Sequence, residues 1–326
     1  MNSDQTSTLY KKIKAGEFVV TAELAPPKQP LLNKITDKLH YYKCGISGIN
    51  LLDMASANLR MSSLGASIAV ANSGFEPIMQ MTCRDRNRLS MQSDLIAAYA
   101  HGVRNVLCLT GDFVTFGDHP TAKPVYDMDS TNLIMMVNQL RVAGKMYSQQ
   151  PLVDAKMEAP FKMQWCIGGA ANPYGNPPHH LATVVARKID AGVDFIQTQP
   201  IFDLKLFDEW WKALEDLGLT DKVAIILGIL PPRSARGLEY MRDNVPGIWV
   251  PPEADERIKG AADQKAEGLK MALETMLELK EKYPIAGFHL YPLAWPEILE
   301  PLLEEAGLLG SLIKTVGGAT ASEAAL

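Results

Sequence analysis

A glutamate near the end of the first apolar segment is the strongest candidate for acid catalysis in this chain. Glu23 lies in FVVTAEL, which begins at Phe18, and its neighbours Ala22, Leu24 and Ala25 are apolar. Apolar surroundings favour the protonated form of a carboxyl group, and general acid catalysis requires a carboxyl that is protonated near neutral pH. The alternative is a structural glutamate that backbone amides or an arginine satisfy.

Other polar residues also interrupt or end apolar segments. Burying an unpaired polar group costs ~1–3 kcal/mol, so each of them must be hydrogen-bonded or have a function. In chain order they are Asp53, Gln80, Thr82, Asp112, Asn172, Gln197, Gln199, Asp203, His289 and Tyr291. If these side chains converge on one place, they predict a binding site that combines carboxylates with amide donors and acceptors.

Eight short, β-rich apolar segments recur along the chain and must position these residues. Their near-continuous apolar character is typical of parallel strands that are buried on both faces. They are FVVTAEL from Phe18, ISGINLLD from Ile46, PIMQMTC from Pro77, NVLCLTGD from Asn105, MQWCIGGA from Met163, FIQTQPIF from Phe195, VAIILGIL from Val223 and GFHLYPLA from Gly287. Amphipathic patterns predict helices at Leu89–His101, Asn132–Arg141, Leu181–Ala191, Leu204–Leu217 and Ala266–Tyr283.

This alternation predicts an α/β fold, a single-domain (β/α)8 TIM barrel over residues 1–312, with a C-terminal tail at 313–326. The rival is a doubly wound dinucleotide-binding sheet, which would need a glycine-rich turn after an early strand. No G-x-G-x-x-G occurs in the chain, so the barrel is favoured. Barrel enzymes place their active sites at the C-terminal ends of the strands, where the polar residues above lie.

Composition excludes several classes of function. A net charge of −5 over 326 residues gives no basic surface for nucleic acid. The cysteines Cys44, Cys83, Cys108 and Cys166 are widely spaced, which predicts buried thiols and neither a disulfide nor a metal site. The N-terminal residues lack the apolar core of a signal peptide, and no apolar run approaches the ~20 residues of a membrane span. We therefore expect a cytoplasmic protein that binds no membrane.

Five motifs, in the same order along the chain, resemble the 5,10-methylenetetrahydrofolate reductase family. They are TAELAPP from Thr21, NVLCLTGD from Asn105, RKIDAGVDFIQTQPIFD from Arg187, LGILPP from Leu227 and GFHLYPL from Gly287. Two further segments, LLDMASANLRMSSL and TCRDRNRLSMQSDL, look closest to the short bacterial form found in acetogens and related bacteria. Each motif is weak by itself, but together they cover nearly the whole chain.

The resemblance implies reduction of a methylene bridge on tetrahydrofolate to a methyl group, or the reverse oxidation. Glu23 would be the acid that protonates a folate nitrogen so that the imidazolidine ring opens. Asp112 would lie near both flavin and pterin, although a helix-capping aspartate is the alternative. Gln199 would contact the pterin amide and the flavin. Gln197, two residues earlier on the same strand face, would lie deeper in the barrel, where a packing role is favoured.

The resemblance also implies a flavin, expected to be FAD. The positions that match its site are Asp53, Gln80, Thr110, Gly111, Asp112, Tyr126, Asn172, Arg187, Lys188, Gln199 and Tyr291. For Arg187 and Lys188 the alternative is a solvated helix face. Thr110 stands where many relatives have an arginine, and Leu181 and Val184 replace polar residues, so FMN or a weakly held flavin stays open.

The electron donor is open as well, because Ala235 stands where some relatives carry a stacking aromatic. NADH and an electron-delivering protein subunit are the two candidates, and a homo-oligomer is expected. Tyr291 matches a position near the flavin. His289 lies on the same strand face as Tyr291 but is interpreted as a satisfied core residue.

Two other functions remain open from the sequence. A pterin-binding methyltransferase that acts with a corrinoid protein would use a similar barrel mouth, but it does not need the acid of TAELAPP. A non-catalytic subunit of a reductase complex is the other. The joint presence of Glu23, Asp112 and Gln199 argues against a non-catalytic subunit.

Overall fold

Eight parallel strands close into a barrel in the computed structural model, which describes residues 6–154 and 158–309. Each strand pairs with the next in the chain, and β8 pairs with β1. The strands are β1 (Val19–Leu24), β2 (Gly48–Leu51), β3 (Pro77–Thr82), β4 (Asn105–Leu109), β5 (Cys166–Ala171), β6 (Phe195–Pro200), β7 (Ala224–Ile229) and β8 (Gly287–Leu290). Every predicted strand segment overlaps one of them, so the predicted (β/α)8 barrel is confirmed. The predicted tail lies outside the described residues.

Helices surround the barrel and fill the connections between strands. They are α1 (Thr8–Lys14), α2 (Asn33–Thr36), α3 (Ser63–Asn72), α4 (Arg88–Ala100), α5 (Ser130–Val142), α6 (Pro178–Ala191), α7 (Leu204–Asp216), α8 (Ala235–Asn244), α9 (Pro252–Gly260), α10 (Gln264–Lys282) and α11 (Leu299–Glu305). The five predicted helices are α4, α5, α6, α7 and α10. Helix α3 was not predicted, because small and apolar residues occupy all of its faces. Its apolar and polar residues therefore do not alternate with the period of a helix.

Local capping sets where the connecting loops begin and end. The side chains of Asn87, Asp129 and Asp203 accept hydrogen bonds from the first turns of α4, α5 and α7. Asp203, a polar residue at a strand end in the sequence, is therefore explained as a helix cap. Gly192 ends α6 with φ +102°, a conformation that favours glycine.

The core has two layers, as expected when strands are covered on both sides. Helices pack around the outside of the barrel, while inside it Leu107, Phe195 and Ile226 form an apolar cluster with Leu9 of α1. The four cysteines are buried free thiols, as predicted. Within the described ranges, no helix is both long and apolar enough to cross a membrane.

Candidate active site

A cavity of about 740 Å³ opens at the C-terminal ends of the strands. Its size lies within the ~300–1,000 Å³ of small-molecule sites, and its place is that of active sites in barrel enzymes. Many of the residues predicted for the site line it. They are Glu23, Asp53, Gln80, Thr110, Gly111, Asp112, Gln197, Gln199 and Tyr291. These residues lie on or directly after β1, β2, β3, β4, β6 and β8, so the sequence predicted groups around most of the cavity.

Glu23 lies on the cavity wall with 14% of its side chain exposed. Its Oε1 lies 3.6 Å from Nε2 of His289 on β8. Its backbone oxygen accepts a 2.7 Å hydrogen bond from the hydroxyl of Tyr42. Burial, and then the nearby Glu23 carboxylate, raise the pKa values of Tyr42 and Tyr291, so both phenols stay protonated at neutral pH. Glu23 is thus a partly exposed carboxyl beside an imidazole.

Asp112 follows β4 and holds the loop after β2. Its Oδ2 accepts the backbone N–H of Ser56 at 2.9 Å. Buried Arg84 donates to the backbone oxygens of Asp112 and Met54, both at 3.2 Å. Asp112 does not cap a helix, since α5 begins later and is capped by Asp129. Asp112 therefore lines the cavity and also ties two of its loops together.

The loop after β2 is conformationally strained. Met54, Ser56 and Ala57 have φ between 49° and 56°, although none of them is glycine. Gly117 packs against this loop so closely that a Cβ there would lie 1.9 Å from the Ala57 oxygen. Left-handed conformations of ordinary residues cost energy and concentrate at functional sites. The contacts of Asp112 and Arg84 stabilise this strained wall.

Asp53 joins the ends of β2 and β3. Its Oδ2 accepts the backbone N–H and the hydroxyl of Thr82 at 2.9 and 3.0 Å, and it pairs with Arg86. Its Oδ1 and the Nε of Arg86 are buried and make no hydrogen bond within residues 6–154 and 158–309. Gln80 lines the cavity nearby. Asp53 thus serves mainly to anchor the cavity floor.

The two glutamines of β6 differ as predicted. Gln197 is 2% exposed and is hydrogen-bonded inside the barrel to Asn50 and Thr21. Gln199 is half-buried at the mouth, and no hydrogen bond of its side-chain amide occurs among the described residues. Gln199 is therefore the glutamine that is free to bind a ligand.

Four residues predicted for the flavin do not line the cavity: Tyr126, Asn172, Arg187 and Lys188. The Tyr126 hydroxyl donates to the Asp112 backbone oxygen at 3.0 Å, and Asn172 accepts the N–H of Tyr174. Arg187 is exposed on α6.

Lys188 lies on α6 and is 6% exposed, so the solvated-face alternative does not hold for it. Its Nζ donates to the backbone oxygen of Ala170 at 2.5 Å. Burial lowers its pKa, while Cys108 and Asp129 act in the opposite direction. Lys188 thus packs between α6 and β5, behind Ala170, which lines the cavity.

Sequence reasoning missed several residues that build the site. Thr21 and Asn50 bind Gln197, and Arg84, within TCRDRNRLSMQSDL, was not predicted for the site. His289 is buried and hydrogen-bonded to Thr21, which confirms its interpretation as a satisfied core residue, but it also lies beside Glu23. The contact between His289 and Glu23 depends on the pairing of β1 with β8, which closes the barrel and has no local signal in the sequence.

The fold and the site define a (β/α)8 barrel protein with an acid- and amide-lined cavity at its mouth. A model of the family described as methylenetetrahydrofolate reductase matches residues 8–307, and the chain belongs to that family. Methylenetetrahydrofolate reductase 1 of Schizosaccharomyces pombe is 24% identical over 242 residues, which are 71% of this chain and 36% of the relative. A probable methylenetetrahydrofolate reductase (NADPH) of Caenorhabditis elegans is 24% identical over 76% of this chain and 34% of its own length. The chain spans about a third of the length of these curated relatives.

Solved structures share the fold at low sequence identity. A Clostridium thermocellum protein that binds two copies of 5-methyl-5,6,7,8-tetrahydrofolic acid superposes with a TM-score of 0.61 at 15% identity, and the match covers 95% of this chain and all of that one. Riboflavin lyase with modified FMN and riboflavin gives a TM-score of 0.53 at 10% identity, over 89% of this chain and 92% of that one. At these identities the likeness supports the barrel fold alone.

Proposed function

We propose that this chain catalyses flavin-dependent reduction of 5,10-methylenetetrahydrofolate to 5-methyltetrahydrofolate, or the reverse oxidation. The observation that carries the proposal is the joint presence of Glu23, Asp112 and Gln199 around one cavity at the barrel mouth. Membership of the methylenetetrahydrofolate reductase family supports it. The C. thermocellum neighbour, which binds 5-methyltetrahydrofolic acid, supports a folate ligand for this fold.

Each of the three residues has a chemical role in this proposal. The amide of Gln199 offers a donor and an acceptor to the edge of the pterin, and the Asp112 carboxylate accepts from pterin N–H groups. Protonated Glu23 delivers its proton to a folate nitrogen, and the imidazolidine C–N bond breaks to leave an iminium on the one-carbon unit. In the reverse direction, the Glu23 carboxylate takes that proton back.

The cavity has a donor set that suits a flavin ring. The Gln80 side-chain amide, like that of Gln199, makes no hydrogen bond among the described residues, so both amides can bind ring nitrogens and oxygens. Thr110 Oγ1 accepts the Ser130 N–H at 3.1 Å, which leaves the hydroxyl proton to donate. A bound flavin would supply the hydride that converts the iminium to a methyl group. FAD is the form that we propose.

NADH is the proposed donor of electrons to the flavin. Relatives in the family carry both alternatives in their names: the C. elegans protein is designated (NADPH), and a rice relative of 24% identity is designated (NADH). An electron-delivering protein subunit is the alternative donor that the test below separates.

The test combines a spectrum with a turnover assay. The purified chain should show flavin absorbance, and acid extraction should release FAD. It should oxidise 5-methyltetrahydrofolate with an artificial electron acceptor, and NADH should reduce the bound flavin. Flavin reduction by methyl-folate but not by NADH would assign the donor to a protein partner. A colourless chain that transfers methyl groups to a corrinoid protein would overturn the proposal in favour of a methyltransferase.

A further inference from the structure

A row of buried polar side chains crosses the inside of the barrel directly beneath Glu23. Thr21 and Asn50 are fully buried, Gln197 is 2% exposed and His289 is 1% exposed. They come from β1, β2, β6 and β8, and Thr21 pairs with His289 in the β1–β8 register. A buried polar network is costly unless every member has a partner, and here each member is hydrogen-bonded to another.

The hydrogen bonds of this row run from Asn50 through Gln197 to Thr21. Asn50 Nδ2 donates to Gln197 Oε1 at 2.8 Å, and Gln197 Nε2 donates to Thr21 Oγ1 at 2.9 Å. The Thr21 hydroxyl can donate its own proton to Nδ1 of His289, which lies 2.8 Å away. A neutral imidazole whose Nδ1 accepts a hydrogen bond carries its proton on Nε2.

The Nε2 atom of His289 faces the Glu23 carboxyl, with Oε1 at 3.6 Å. Such contacts are often long without substrate and shorten in the reacting complex. The other titratable groups beside Glu23 are the phenols of Tyr42 and Tyr291, whose pKa values are raised, first by burial and then by Glu23. In the part of the chain that the structure describes, no lysine or arginine forms an ion pair with Glu23.

We propose that His289 is a positioning residue, and that the row of Asn50, Gln197 and Thr21 holds it as the Nε2–H tautomer so that this proton orients the Glu23 carboxyl toward the cavity. The inference rests on the proposed reductase function, because orienting an acid matters only if Glu23 transfers a proton.

Three variants separate positioning from packing. His289→Leu removes the donor at similar volume and should lower kcat about tenfold, a fraction of the ~10²–10⁴-fold that general acids contribute. His289→Gln keeps an N–H donor at the end of the side chain and should restore part of kcat. Thr21→Val should act like His289→Leu in weaker form, while KM stays within about twofold.

Ser67→Ala is the matched control, because Ser67 is a fully buried hydroxyl outside the site whose oxygen makes no hydrogen bond to the described residues. It should change neither kcat nor KM. Equal loss of kcat in His289→Leu and His289→Gln would overturn positioning in favour of packing. Wild-type kcat in His289→Leu would overturn it as well.

A measurement that does not depend on turnover completes the test. ¹⁵N spectra of the protein labelled at its six histidines should give one buried imidazole as the Nε2–H tautomer, and that signal should be missing in His289→Leu. A buried Nδ1–H tautomer would overturn the inference. If the wild-type chain does not turn over folate at all, the proposed function fails, whatever the tautomer of His289 proves to be.

Discussion

Two sides of the cavity differ in the polar side chains that they contribute to it. On the β1, β6 and β8 side, Glu23 stands above a row of satisfied polar groups that reaches to Asn50. On the β5 and α6 side, Asn172, Arg187 and Lys188 do not line the cavity. The proposed function assigns proton transfer to Glu23 and pterin binding to Gln199 on the first side, so we expect that side to control the chemistry. The second side is mostly backbone and packing.

The difference follows from what carries each side. Strand residues inside a barrel point inward at every second position, so their side chains must meet. Helix α6 packs on the outside, where a long side chain can turn toward the strands, as Lys188 does, or toward water, as Arg187 does. Side chains at inward strand positions are therefore held in place inside the barrel. Side chains on the outer helices can enter the cavity only through a gap between strands.

The largest effect that we predict is on the β1, β6 and β8 side. Glu23→Gln should lower folate reduction by ~10²–10⁴-fold, because the amide cannot deliver a proton. Reoxidation of the flavin by an artificial acceptor should stay near the wild-type rate in stopped-flow measurements. Glu256→Gln, at an exposed position on α9, is the control. Full activity in Glu23→Gln would show that Glu23 is not the acid.

Arg84→Met should produce the next largest effect. Arg84 is 1% exposed and donates to two backbone oxygens of the strained cavity wall. The Asp112 oxygen keeps its hydrogen bond from the Tyr126 hydroxyl, but the Met54 oxygen loses its Arg84 donor, which should lower the free energy of unfolding by ~1–3 kcal/mol. Urea denaturation measures the loss, and Arg187→Met, at an exposed position of α6, should cause almost none. Similar losses in both variants would show that the Arg84 contacts do not stabilise the cavity wall.

Gln199→Ala should affect binding more than stability. Loss of a ligand hydrogen bond of ~0.5–1.5 kcal/mol should weaken 5-methyltetrahydrofolate binding by up to about tenfold. Flavin retention should fall less, because other groups around the cavity also bind the ring. Titration calorimetry with Gln139→Ala on α5 as control would measure both. An equal loss of the two ligands would make Gln199 a packing residue.

Lys188→Met, on the β5 and α6 side, should have the smallest effect. Burial lowers the Lys188 pKa below its usual 10.5, so the unfolded chain binds the proton more tightly than the folded one. The stability of the wild type relative to Lys188→Met should therefore rise as pH increases from the lowered pKa toward 10.5. Unfolding curves at several alkaline pH values measure this change. Flavin content should match the wild type, and a loss of flavin would make Lys188 a cofactor contact after all.

Sequence patterns predicted features that depend on a local period. Eight apolar segments predicted eight strands, and the two-residue spacing placed Gln197 deeper than Gln199. The same patterns cannot predict which strands close the barrel, so the contact between Glu23 and His289 had no signal. The direction of Lys188 was equally hidden, because α6 alone does not fix whether a long side chain turns inward.

The most direct test of the account is a crystal structure of the chain with 5-methyltetrahydrofolate. We predict that the pterin lies in the mouth cavity with its polar edge within hydrogen-bonding distance of Asp112 and Gln199, and with the folate nitrogens that exchange protons facing Glu23. A pterin bound against α6, or outside the cavity, would contradict the assignment of catalysis to the β1, β6 and β8 side.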